Sequence, residues 1–159
     1  MKLNKRQILF FSLTLLWMGV IFWFSAHTGS ESSAQSAGIV NQLIHFLFPH
    51  YSEWPIHRQE HVADIVTIIV RKSGHATEYL VLGLLFLGCQ SWNYSFHRTF
   101  FTAWILTVCY AATDEFHQYF VPDRACMFTD VLIDSAGAAT GLLVVLVFLF
   151  WRRKQKAYD

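Results

Sequence analysis

The sequence predicts an all-α integral membrane protein: a bundle of four transmembrane helices, with two short amphipathic helices in the first extracytoplasmic loop. Three observations carry this. The 159 residues are 54% hydrophobic and only 14% charged, where soluble domains run at about 25% charged. Apolar runs at about 7–25, 74–90, 98–117 and 127–151 can each cross a hydrocarbon core of about 30 Å, the second only just. Lys and Arg are distributed unevenly between the segments that join these runs. The length suits one domain, residues 1–159.

The first run, Ile8 to Ser25, follows Lys2, Lys5 and Arg6 and contains Trp17 and Trp23. It is long for a signal-peptide core, so an uncleaved anchor is predicted. Residues 26–73 form the extracytoplasmic loop. Ser30 is the predicted N-cap of its first helix, with Glu31 in the first turn. Ile39, Val40, Leu43, Ile44, Leu47 and Phe48 then fall on one helical face, in a run too short to span. Pro49 and Pro55 bracket a turn holding Tyr51 and Trp54. Val62, Ile65, Val66, Ile69 and Val70 make a second stripe. Both helices are expected to lie on the membrane or against the bundle.

Charge placement sets the predicted topology. With the N-terminus inside, Lys2, Lys5, Arg6, Arg98, Arg152, Arg153, Lys154 and Lys156 are cytoplasmic, whereas only Arg58, Arg71, Lys72 and Arg124 are outside. The positive-inside rule then puts both termini in the cytoplasm, on the inner side of the cell (inner) membrane. A net charge near +1 gives no reason to expect nucleic acid as a partner; the lipid bilayer is the expected one. Cys89, Cys109 and Cys126 fall at different depths and lack paired metal-ligand spacing, so they read as small buried residues.

This topology places the ionisable residues of the last three runs in the outer halves of their helices. They are His75 and Glu78, then Asp114, Glu115 and His117, then Asp130 and Asp134, with Arg124 on the last loop. Such groups cost about 2.5–3.5 kcal/mol each at mid-membrane and need partners. Arg71, His75 and Glu78 share a helical stripe, as do Asp114, His117 and Gln118. Asp130 and Asp134 form a third, continued by Gly137, Ala138 and Gly141, whose size permits close helix approach.

The cluster is therefore expected to converge into one site. Its ligand-binding set is Arg71, His75, Glu78, Tyr79, Asp114, Glu115, His117, Gln118, Arg124, Asp130 and Asp134. Three chemistries compete for it. Arg124 and Arg71 could clamp an anionic lipid or cell-wall precursor head group, the loop helices forming a lid. Alternatively His75, Glu78, Asp114, Glu115 and His117 are catalytic candidates for a membrane hydrolase or transferase. A divalent cation could then be its cofactor, held by members of the set His75, Glu78, Asp114, His117 and Asp130. In the third reading the charges only lock a partner-binding bundle, Arg124 or Arg71 pairing with the carboxylates.

Three stretches resemble the VanZ-like family of bacterial membrane proteins. Arg71-Lys72-Ser73-Gly74-His75-Ala76-Thr77-Glu78-Tyr79 is similar to the RKxxHxxEY with which that family's second span begins. Residues from Asp114 to Arg124 resemble its DExHQxFxPGR segment, and Asp130-Val131-Leu132-Ile133-Asp134 with Gly137 resembles DVxxDxxG. The resemblance implies a multi-pass membrane protein, with teicoplanin-type glycopeptide tolerance in some members, and no established reaction. Asp123 departs from it, standing where the family usually has Gly. Gly permits positive φ and close backbone approach, which Asp allows less easily, so the departure bears on the loop around Arg124.

Overall fold

A computed structural model describes residues 4–90 and 95–155. Lys2 and Lys156 of the topology argument lie outside them, as do the side chains of Arg153 and Lys154. The described residues form five α-helices and no strand: α1 (Lys5–Ser25), α2 (Gly29–Leu47), α3 (Ile56–Cys89), α4 (Phe96–Gln118) and α5 (Phe128–Gln155).

α1 opens on a capping box between Asn4 and Gln7, satisfying donors that a helix start leaves orphaned. It buries only Thr14, Ile21 and Ser25, and turns Leu9, Phe11, Leu15, Leu16 and Trp23 outward. An apolar exterior of this kind suits a lipid environment better than water. Among the described residues, α1 and α5 (over Phe128–Leu149) are long and apolar enough to cross a membrane. In α3 and α4 the apolar runs end in the polar residues singled out above.

The loop differs from expectation in three respects. The cap of α2 is Thr28, not Ser30: its hydroxyl accepts from Glu31 N, and Glu31 reaches back to Thr28 N at 2.8 Å. Ser30 falls one residue inside the helix. The two stripes pack on each other, Val40, Ile44 and Val66 forming a cluster flanked by Leu43, Phe48, Val62 and Val70. The second stripe also does not end as a separate helix. It runs through Gly74 into the apolar segment, making α3 one rod of 34 residues, about 50 Å long. No proline interrupts residues 56–89, so nothing breaks its hydrogen-bond ladder.

α3 is the centre of the bundle and touches every other helix. Its closest neighbour is α5. A Cβ built on Gly137 would lie 2.3 Å from the Ala76 carbonyl oxygen, so only glycine fits that crossing, and Ala138 beside it is fully buried. The small stripe therefore does what its residues suggest. Ile21, Tyr79, Leu82 and Ala111 fill one core layer, and Leu87, Ala103, Leu142 and Leu146 another. The three cysteines are free; Cys109, on α4, and Cys126, on the loop before α5, are exposed rather than buried.

Candidate functional site

The site is built where the middle of α3, the end of α4, the α4–α5 loop and the start of α5 meet. Two adjoining cavities open there. One, about 350 Å³, is lined by Arg71, Lys72, His75, Gln118, Arg124 and Asp130 among others. The second, about 280 Å³, lies on the α2 side between Arg71, His75, Glu78, Arg124, Gln35 and Ser36. Arg71, His75 and Arg124 border both.

Inward from these cavities the carboxylates go underground. Asp114, Glu115 and Asp134 are buried. Asp114 Oδ2 accepts from Ser25 Oγ at 2.7 Å and from Gln118 Nε2 at 3.1 Å. Glu115 Oε2 accepts from Met127 N at 3.0 Å, which ties α4 to the residue preceding α5. Asp114 Oδ1, Asp134 Oδ1, the Tyr79 hydroxyl and His75 Nδ1 are buried without a hydrogen-bond partner. Unpaired buried polar atoms cost about 1–3 kcal/mol each, and of these four His75 borders both cavities.

The cations act differently from expectation. Asp130 is held by Lys72, not by Arg124 or Arg71. Arg124 donates Nη1 to Gln118 Oε1 at 3.0 Å and Nε to the His27 carbonyl at 3.1 Å, with Nη2 reaching Phe24 O at 3.5 Å. A cation on the C-terminal carbonyls of α1 is well placed against the helix dipole. Burial pushes the Arg124 pKa down and the like charge of Arg71 adds to that, while Asp114, Glu115 and Glu78 act oppositely. Arg71 itself makes no hydrogen bond or ion pair among the described residues. Two guanidinium groups thus border one cavity, one anchored and one unspent.

Glu78 lies 3.7 Å from His75 Nδ1, beyond a true hydrogen bond. His117 is not brought to the mouth. Its ring stacks on Phe22 of α1 at 4.4 Å, and its Nδ1 is buried without a partner. Among the described residues no three His, Cys, Asp or Glu side chains lie together as they would to hold a metal ion. The spacing was sound within each helix; what it could not give was the rotation of α4, which sends His117 toward α1.

Sequence reasoning missed Lys72 as the partner of Asp130, Ser25 as the partner of Asp114, and Gln35 and Ser36 as the α2 wall. Lys72 had a signal: it follows Arg71 in the same motif, but counted only towards topology. Asp123 adopts φ 57°, the left-handed conformation that glycine adopts most readily. Asp is among the few residues other than glycine that tolerate it. Gly29 is packed against this turn, donating its N–H to Pro122 O at 3.2 Å.

The sequence model of a family described as VanZ/LLP1 matches residues 10–150. No curated protein and no solved structure matches the chain.

Proposed function

The chain belongs to the VanZ/LLP1 family, and from that premise we propose a four-span protein of the bacterial inner membrane whose outer mouth binds the head group of an envelope lipid or lipid-linked cell-wall precursor. Arg71 is the observation that carries this reading: a guanidinium bordering two cavities, with no hydrogen bond or ion pair among the described residues, on the same walls as the guanidinium of Arg124. Such a pair is an anion site waiting for its anion.

The apolar exteriors of α1 and α5, and the preponderance of Lys and Arg inside, support both termini in the cytoplasm and the mouth outside. The apolar parts of α3 and α4 complete the spans, and α2 covers the mouth as a lid. Binding a wall precursor or its lipid carrier there would connect the site to glycopeptide tolerance of the teicoplanin type. A hydrolytic role has less support, because His117 faces Phe22 rather than the cavity.

The test is a drug challenge of bacteria carrying Arg71→Ala or Arg124→Ala at wild-type membrane abundance. Loss of protection in both is expected. Undiminished protection in Arg71→Ala overturns the reading, since that side chain holds nothing else in place.

A further inference from the structure

The cavity on the α2 side carries both signs of charge; of its two cations Arg124 is anchored and Arg71 has no hydrogen bond or ion pair among the described residues. Glu78 borders it together with Arg71 and Arg124. Its carboxylate makes no hydrogen bond among the described residues, with His75 Nδ1 3.7 Å away. In the companion cavity the acid is already taken, because Lys72 holds Asp130. Arg71 and Glu78 are seven residues apart on α3, hence on one face and about 10 Å apart along the axis. His75 lies between them. The wall continues into Phe24, Ile39 and Val70, an apolar margin next to the charged floor.

An exclusively anionic head group would satisfy Arg71 and Arg124 and press its charge towards Glu78. A ligand with a cation beyond its phosphate satisfies all three. We propose that the mouth selects a zwitterionic head group, a phosphodiester bearing a primary amine, with phosphate at Arg71 and Arg124 and ammonium at Glu78. A primary ammonium offers three N–H donors, and so can reach Glu78 while still bonding elsewhere. The proposal rests on the head-group reading above and adds the chemical class of the ligand.

The probes are two short-chain lipids with identical acyl chains, dihexanoylphosphatidylethanolamine and dihexanoylphosphatidylglycerol, titrated into the full-length chain in detergent. The ethanolamine lipid is expected to bind about tenfold tighter, the worth of one charge-assisted hydrogen bond. Glu78→Gln, nearly isosteric, should erase that preference while glycerol-lipid affinity holds or rises; Arg71→Ala should weaken both. Equal or tighter binding of the glycerol lipid by the unaltered chain overturns the zwitterion assignment and leaves the head-group site standing. A preference that survives in Glu78→Gln overturns it as well. Saturable binding of neither lipid overturns both readings together.

Discussion

Ser25 at the end of α1 donates its hydroxyl to Asp114 of α4 across 2.7 Å, with both side chains buried. This bond joins α1 to α4, which also meet where the Tyr110 hydroxyl donates to Met18 O at 2.6 Å, and it fills one of the oxygens of an acid whose other oxygen has no partner. Ser25→Ala leaves Asp114 Oδ2 with Gln118 alone. The expected loss is about 1–3 kcal/mol, read as a lower unfolding midpoint in detergent. An unchanged midpoint would mean that Asp114 is satisfied some other way.

Lys72 and Asp130 form an ion pair between α3 and the first turn of α5, both partly exposed. Exposed pairs contribute about 0.2–1 kcal/mol, and this one should fall near the upper end because it is half-enclosed. A double-mutant cycle with Lys72→Ala and Asp130→Ala is expected to give coupling of about 1 kcal/mol. The charge exchange Arg124→Asp with Asp130→Arg should restore nothing, because Arg124 bonds carbonyl groups and Gln118 rather than Asp130. Rescue by that exchange would contradict the pairing.

What the sequence made legible follows from which interactions are local. Helical stripes at three- and four-residue spacing placed Asp114 with Gln118, and Val40 with Ile44, correctly. They also flagged Gly137 as a close crossing, since small residues in series have few other uses. Pairings across helices depend on rotation and depth, which no single helix encodes. That is why Lys72 replaced Arg124 as the partner of Asp130, and why His117 turned to Phe22. The fusion of the second amphipathic stripe with the next segment was hidden by composition: Arg71, Lys72 and Gly74 look like a boundary, yet none of them interrupts a helix.

Glu31 closes the capping box of α2. Its carboxylate accepts from the Thr28 N–H at 2.8 Å and the Thr28 hydroxyl at 2.9 Å, and these bonds, the backbone one first, hold its pKa below the usual range. A depressed carboxylate pKa stabilises the fold above the unfolded value of about 4.3, and that contribution is lost as pH falls through the lower folded value. The α2 cap is therefore intact at neutral pH and loosens only in acid. A carbon-13 titration of Glu31 should show the low midpoint, and Thr28→Ala, which removes the hydroxyl bond but keeps the backbone one, should raise it only part of the way to the ordinary value. A midpoint already ordinary in the unaltered chain would mean that the box is open in solution.

Gly29 and Asp123 predict effects of opposite sign at one contact. A Cβ on Gly29 would lie 2.1 Å from the Asp123 carbonyl oxygen, a backbone atom that cannot swing aside as a side-chain tip can. Gly29→Ala is expected to cost about 1–3 kcal/mol, as overpacking does, and to push the loop carrying Arg124 away from α1. Asp123→Gly removes the cost of a left-handed φ of 57° and should stabilise by about 0.5–1 kcal/mol. Unfolding midpoints in detergent read both. If Gly29→Ala is neutral, the turn and α2 are not in contact, and the α2 wall of the second cavity has to be abandoned with it.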